Sequence, residues 1–522
     1  MSLPVLNFAE MLEAKARLMP NRLAARDLER SLTFGAWDAR ANRLANALAS
    51  LGLVKGDRLG VLAYNCLEWA ELYIATAKSG VIIVPINFRL SPLEILNILQ
   101  DCGARGVIVQ DGLHGLIEEI RGDLAMDANQ MVHFGTPQAP SGWKSYESII
   151  AGADEARPTA VVLPDDPWAF MYTSGTTGRP KGVIRSHRGM VMLALITEVE
   201  LSVRSDEDAL LVMPMCHANS LNFFCSYVYC GACVTIYSRK RFDPEHVAQS
   251  MSELGTTFTS LVPTQYIMLL DRPRAEISRW DLGRVEKLMI SSAPARADTK
   301  RQVMEMFSGA GLFELYGSSE AGWVTMLHPR EQFSHLGTVG RECVGSGPIR
   351  ILDQDGHEVP DGQSGELFSL TPYPFSGYWN QPEKTAEAFR GAYCSVGDVA
   401  LRDSDGFIRL VDRKENMIIS GGENIYPTEI EAVISGCPLV RDVAVVGVPD
   451  DKWGESVHAV VVLCDGADAD AQAIINWCNG RLAGYKRPRT VSFVDESGMP
   501  RTATGKIRHS ALKKQLSTPA SA

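Results

Sequence analysis

The run Trp168-Ala-Phe-Met-Tyr172 is short, apolar and aromatic, and Thr173-Ser-Gly-Thr-Thr-Gly-Arg-Pro-Lys181-Gly182 follows it at once. A run of that length, bounded by turn residues, predicts a buried strand. The second stretch concentrates glycines, hydroxyls, a proline and two cations. Glycine lets backbone approach a ligand closely. Clustered backbone N–H groups and hydroxyls form a concave site for anionic oxygens. Lys181 adds a point charge suited to phosphate. The stretch reads as a loop that grips a triphosphate. It is not a P-loop, which needs Gly, four residues, then Gly-Lys-Ser/Thr. Here Gly175 is followed by Gly178, Lys181 and Gly182, and no hydroxyl follows the lysine.

At 522 residues the chain exceeds what one hydrophobic core supports, so at least two domains are expected. A net charge of −11 without a basic cluster argues against a nucleic-acid partner. No apolar run reaches the ~18 residues of a membrane span. The start, Met1-Ser-Leu-Pro-Val-Leu, lacks the layout of a signal peptide. The end, Thr518-Pro-Ala-Ser-Ala522, is not the Ser-Lys-Leu peroxisomal address. The eleven cysteines are odd in number and mostly in apolar surroundings, which predicts reduced thiols and a cytoplasmic location. Cys230-Gly-Ala-Cys233 has half-zinc-site spacing but no second pair, so a turn into the strand Val234–Tyr237 is expected there instead.

Up to about residue 160, helix and strand signals alternate. Ala39-Arg-Ala-Asn-Arg-Leu-Ala reads as a helix closed by Gly52, and Glu71–Lys78 as one closed by Gly80. Arg58–Ala63, Gly80–Pro85 and Gly106–Val109 read as strands. Parallel sheets covered by helices follow from that order. A helix is expected from Arg185 onward, with His187 either assisting the loop or lying on the surface.

The loop resembles the phosphate-loop signature of the adenylate-forming superfamily, which includes acyl-CoA synthetases, peptide-synthetase adenylation domains and luciferases. Further stretches resemble that superfamily's other motifs, in order. They are Pro214-Met-Cys-His217, Leu288-Met-Ile-Ser-Ser-Ala-Pro294, Leu315-Tyr-Gly-Ser-Ser-Glu320, Gly365-Glu-Leu, Gly377-Tyr-Trp-Asn, Ser395-Val-Gly-Asp398, Asp412-Arg413, Ser420-Gly-Gly-Glu and Met499-Pro-Arg-Thr-Ala-Thr-Gly-Lys506. The resemblance spans essentially the whole chain. It implies an α/β protein: a large N-terminal domain of helix-covered β-sheets over residues 1–412, a hinge at 413–415, and a small mobile α+β C-terminal domain over 416–522.

The resemblance also implies roles, residue by residue. Thr173, Ser174, Gly175, Thr176, Thr177, Gly178 and Lys181 would hold the phosphates of ATP. Ala293, Pro294 and Gly317 would contact the nucleotide, with Tyr316 on the adenine face and Ser319 near the phosphate. Glu320 and Thr176 would hold Mg²⁺, which wants hard oxygen ligands. Asp398 would accept from the ribose hydroxyls, with Arg413 as a ribose or phosphate ligand. His217, Ala218, Ser292, Gly317 and Trp323 would line the acyl pocket. Gly421, Gly422, Trp453, Tyr485 and Arg487 would serve coenzyme A. Lys181, Glu320 and Lys506 would carry catalysis. Two stretches depart from the family pattern. Tyr393-Cys-Ser-Val replaces the commoner Trp-x-x-Thr, and Glu415 stands at the hinge where Asp or Lys is usual.

An acyl-CoA synthetase is therefore expected. ATP and a carboxylic acid would give an acyl-adenylate and pyrophosphate, and the CoA thiol would displace AMP. No Asp or Glu lies between Val212 and Val234, where amino-acid adenylation domains usually place a carboxylate. That favours a carboxylic acid without an α-amine, and the mostly apolar stretches Cys216-His-Ala-Asn-Ser-Leu-Asn-Phe-Phe and Ala321-Gly-Trp-Val suit an aryl, alicyclic or medium-length fatty acid. The expected partners are that acid, ATP and CoA, with no nucleic acid, no membrane span and a homodimer left open. One alternative is a free-standing adenylation enzyme loading a carrier protein. Another is a non-catalytic nucleotide-binding protein, disfavoured by the intact charged positions.

Overall fold

The computed structural model describes residues 7–173, 180–293, 295–420, 423–450, 452–501 and 507–517. The chain divides into two compact units, Met1–Pro348 with Ser369–Cys394, and Ile349–Phe368 with Ser395–Ala522. Residues 395–412, which the sequence reading groups with the large domain, belong to the second unit. The reason is antiparallel pairing: Asp398 sits opposite Arg413, and Gly365 opposite Ala400.

The first unit is built on two sheets. One has seven strands in the order Lys144–Ser145, Met131–Phe134, Gly106–Gln110, Arg58–Leu62, Ile82–Ile86, Pro167–Thr173, Lys181–Ser186. Its pairings are parallel until the final hairpin, which is antiparallel. The four strands expected from apolar runs are all present. The other sheet has nine strands, and its centre is the parallel set Leu23–Arg26, Cys233–Ile236, Asp208–Leu211, Phe258–Leu261, Lys287–Ser291 and Gly311–Ser318.

The expected helix at 71–78 runs from Glu68 to Ser79 and is buried on every face. Gly80 ends it in the left-handed conformation at φ +72, which only glycine adopts cheaply. A helix buried all round lies in a core. Here it meets the strand Pro167–Thr173 and the segment after Asp208–Leu211: Trp168 Nε1 donates to Tyr73 O at 3.1 Å, and the Tyr73 hydroxyl donates to Met215 O at 2.6 Å. Its charges survive burial because each is paired. Lys78 meets Glu13 and Asp38, Glu71 meets Arg40, and Glu68 meets Arg30.

In the second unit, a five-stranded sheet joins Glu423–Ile425, Ile418–Ser420, Gly454–Leu463, Val440–Asp450 and Thr490–Phe493. Helices Pro427–Ser435 and Ala471–Trp477 close a core containing Ile418, Ile430, Val445, Val461 and Ile474. This is the small α+β domain expected at the C-terminus. All eleven cysteines are free. Among the described residues, no helix is long and apolar enough to cross a membrane.

Candidate active site

The hairpin Pro167–Thr173/Lys181–Ser186 places Thr173 directly opposite Lys181. Its first strand is anchored by Trp168, which stacks on Phe8 at 5.2 Å and on His187 at 5.6 Å. His187 is fully buried, so the surface alternative for it is corrected: an aromatic stack takes this helix start into the core. Burial pushes its imidazole down to about 4. Ser174, Gly175, Thr176, Thr177 and Gly178 lie outside the described residues.

Lys181 and Glu320 meet on one residue, Tyr378. The Lys181 ammonium lies 4.9 Å from the centroid of the Tyr378 ring, and the Tyr378 hydroxyl donates to Glu320 Oε1 at 3.0 Å. Glu320 is buried. Its place is fixed through its backbone: Phe375 N donates to Glu320 O at 2.7 Å, and Arg185 Nη1 donates to Ser319 O at 3.0 Å. Arg185 is itself buried, and desolvation draws its guanidinium down to about 10. Among the described residues no cation forms a salt bridge with the Glu320 carboxylate. A buried carboxylate with oxygen lone pairs to spare is suited to a hard divalent ion.

Tyr316 lies on the strand Gly311–Ser318, buried opposite Thr325. A register shift between Tyr316 and Gly317 brings Gly317 against its partner strand. A Cβ on Gly317 would stand 2.2 Å from Gly322 O, so no other residue fits without moving backbone. Ser319 is half-buried and follows in the turn.

Across from Gly317, Trp323 is buried, donates Nε1 to Thr197 Oγ1 at 2.8 Å and stands 5.2 Å from Phe223. His217 caps the helix Ala218–Cys230, with Ala218 as its first residue. The His217 Nε2 lies 3.5 Å from Asn87 Nδ2. Burial, helped by Arg89, holds its imidazole down at about 4, so it is neutral at pH 7. Asn219 Nδ2 donates to Ser291 Oγ at 3.0 Å and Ser260 Oγ donates to Asn219 Oδ1 at 3.2 Å, joining this helix start to two strand ends. Ser292 and Ala293 follow as exposed residues, Ser292 in the left-handed region at φ +70. Such a conformation costs a non-glycine residue on the order of 1 kcal/mol. Pro294 lies outside the described residues.

In the second unit, Asp398 and Arg413 are bonded to each other: Arg413 Nε meets Asp398 Oδ1 at 2.6 Å. Their antiparallel register sets that pair. Glu415 is exposed in the turn after Arg413. The neighbouring Asp412 is buried and ties this turn to the helix Pro427–Ser435. Its Oδ1 accepts from Asn416 Nδ2 at 3.1 Å and its Oδ2 from Thr428 N at 3.0 Å. Trp453 is half-buried, with Arg489 4.9 Å and Lys452 4.8 Å from its ring centroid. Tyr485 is exposed beside Lys486, and Arg487 donates to Asn479 Oδ1. Gly421, Gly422 and Lys506 lie outside the described residues.

Sequence reasoning had not singled out Tyr378, Arg185 or Ser260. Their signal is tertiary, carried by partners far away in the chain.

The chain matches the AMP-binding enzyme family over residues 12–379 and the AMP-binding enzyme C-terminal domain over 429–506. It is 35% identical to a feruloyl-CoA synthase of an Amycolatopsis species, over 96% of this chain and 97% of that one. It is 33% identical to an indoleacetate–CoA ligase of Aromatoleum aromaticum, over 98% of each. The crystal structure of the anthranilate CoA ligase AuaEII with anthranoyl-AMP superposes with a TM-score of 0.88 at 27% identity, covering 99% of this chain and 98% of that one. With both family domains in order and full-length CoA-ligase relatives, the chain belongs to the AMP-binding, adenylate-forming enzymes as an acyl-CoA ligase.

Proposed function

We propose that the acid this ligase activates is aromatic, and that Glu320 holds the Mg²⁺ of the adenylation step. The Lys181–Tyr378–Glu320 arrangement is the observation that supports the second part most strongly. It brings an ammonium and a free carboxylate edge onto one tyrosine beside the loop that resembles the phosphate grip. For the acid, support comes from the apolar, aromatic surroundings of Trp323 and Phe223 and from the neutral His217. The acids named for the relatives above carry aromatic rings as well.

In the first step a carboxylate oxygen attacks the α-phosphorus of ATP, and the bond to pyrophosphate breaks. In the second the CoA sulfur attacks the acyl carbon, and the bond to AMP breaks. Positioning and charge neutralisation supply most of such catalysis. When bound, Mg²⁺ contributes charge neutralisation at the phosphates. Lys181 supplies a fixed positive charge on the same side. By family resemblance, Thr176 assists with the metal, Tyr316 with adenine, Asp398 and Arg413 with the ribose, and Lys506 with the α-phosphate. Gly421, Gly422, Trp453, Tyr485 and Arg487 are assigned to CoA on the same ground, and Glu415 to the hinge. Free, mostly buried thiols fit a reducing compartment.

The test is a panel of acids assayed for AMP release with and without CoA. Hydroxycinnamates, benzoates and indoleacetate should exceed malonate and α-amino acids by at least ~100-fold, because a buried unpaired charge costs several kcal/mol. A dicarboxylate or amino acid as best substrate overturns the pocket reading. Turnover that requires a carrier protein in place of CoA overturns the acceptor.

A further inference from the structure

Away from the nucleotide hairpin, three metal-ligating side chains converge in the first unit. Asp111 follows the strand Gly106–Gln110, His114 opens the segment His114–Glu118, and His133 lies on the neighbouring strand Met131–Phe134. Those strands are parallel, with Val109 opposite His133, and Asp111 N donates to Phe134 O at 2.7 Å. The backbone therefore fixes Asp111 beside His133. In the sheet order these strands lie on the far side from Pro167–Thr173, with Arg58–Leu62 and Ile82–Ile86 between.

Asp111 Oδ1 stands 3.4 Å from His133 Nε2 and 3.9 Å from His114 Nδ1. One ligand atom from each residue falls within 4.8 Å of both others. Two ligands bonded at about 2.0–2.1 Å around a tetrahedral ion are separated by roughly 3.4 Å. The Asp111–His133 edge already has that length, and the half-exposed His114 stands 3.9 Å from Asp111 Oδ1, close enough to close in by a side-chain adjustment.

A second observation points to a ligand. His133 is 1% exposed; its Nδ1 has no hydrogen-bond partner among the described residues, and its Nε2 faces Asp111 Oδ1 at 3.4 Å without a well-formed hydrogen bond. His114 Nδ1 is shielded and equally without one. A buried polar atom left so costs about 1–3 kcal/mol, and donors facing one carboxylate oxygen are the usual makings of a coordination site. The His133 ring packs edge-on against Trp143 at 6.3 Å and against His114 at 5.5 Å, which restricts its orientation.

We propose that Asp111, His114 and His133 form a site for one divalent transition-metal ion of the zinc class, with solvent completing its shell. Imidazole with a single carboxylate suits Zn²⁺ or Co²⁺ and does not suit Mg²⁺. The site is distinct from the Mg²⁺ position proposed at Glu320. It would tie the segment after one strand to the neighbouring strand, a structural role.

The experiment uses the full-length protein, stripped with chelator and titrated with Co²⁺ by visible absorption and with Zn²⁺ against a chromogenic chelator. One equivalent should bind, with a tetrahedral Co²⁺ spectrum that Zn²⁺ abolishes, and bound Zn²⁺ should raise the melting temperature. Asp111→Asn and His114→Ala, both at half-exposed positions, should each weaken binding at least ~10–100-fold while leaving Mg²⁺-dependent adenylation unchanged. His133→Gln should do the same, with circular dichroism to check its fold. Absence of stoichiometric binding, or binding that Asp111→Asn and His114→Ala leave intact, overturns the site and reduces the cluster to an Asp–His contact.

Discussion

Tyr378 donates its hydroxyl to Glu320 Oε1 at 3.0 Å while its ring lies beneath the Lys181 ammonium. One side chain thus sets the spacing between the cation and the anion proposed to serve the adenylation step. Tyr378→Phe keeps the ring and removes the donor. A hydrogen bond to a charged group is worth about 1.5–3 kcal/mol, so acid-dependent pyrophosphate exchange should fall roughly 10–100-fold. The Mg²⁺ titration should shift to higher concentration. Glu320→Gln should shift it further, with the fold intact. A Tyr378→Phe enzyme with parental rate and parental Mg²⁺ dependence removes the tyrosine from the site.

Gly317→Ala tests the close approach of the two strands. Its Cβ would fall 2.2 Å from Gly322 O, whereas at Gly309 nothing lies within 4 Å. Overpacking of this kind typically costs 1–3 kcal/mol. Urea melts should show about that loss for Gly317→Ala and almost none for Gly309→Ala, and adenylation should fall in the first variant only. Equal behaviour of the two contradicts the register described here.

The buried histidines predict a pH dependence of stability. His187 and His217 are both held down at about 4, from an ordinary 6.5. Between those values the unfolded chain binds more protons than the folded one, so stability rises with pH. It is fully present above about pH 6.5 and is lost as pH falls towards 4. A shift of that size is worth at most about 3 kcal/mol per histidine. His187→Phe keeps an aromatic ring against Trp168 and removes two ring nitrogens that lack partners among the described residues. Its denaturation midpoint should gain on the parent at pH 5 relative to pH 7.5. A gain that does not depend on pH rules out titration of His187 as the cause.

The role proposed for Lys506 predicts that its loss separates the two half-reactions. A single well-placed donor at a developing charge is worth about 3–4 kcal/mol. Lys506→Ala should therefore lose ~10²–10³-fold in pyrophosphate exchange. Supplied with preformed acyl-adenylate, it should still make thioester at near the parental rate. Equal loss of both half-reactions would assign the lysine to both steps and remove support for a hinge at Asp412–Glu415.

Much of this was legible in the sequence because its signals are local. Apolar runs bounded by Gly and Pro gave the strands at Arg58, Gly106 and Trp168, and motif order gave the family. Other features depend on distant partners. Tyr378 meets Glu320 across 58 residues, and Arg185 reaches Ser319 across 134. A lone arginine after a strand reads as a surface charge, and only the fold shows that its neighbours are backbone carbonyls. His187 misleads in the same way: a polar residue at a helix start suggests solvent, and only the neighbouring Trp168 reveals the core. Asp398 and Arg413 were each singled out by a motif, but their mutual ion pair follows from strand register, which no single motif encodes.

The helix Glu68–Ser79 has a consequence for how the chain is assembled. Its charge partners Glu13, Arg30, Asp38 and Arg40 all precede it, but part of its cover comes from far downstream, where Tyr73 meets Phe224 and donates to Met215 O, so the helix is fully dry only when those segments are in place. A nascent chain that has emitted only the first sheet must hold part of this segment wet. The two sheets of the first unit therefore cannot be separate folding modules. A cut between them, even at an exposed loop, should yield two insoluble halves, and native-state hydrogen exchange should show the helix opening only with the whole unit.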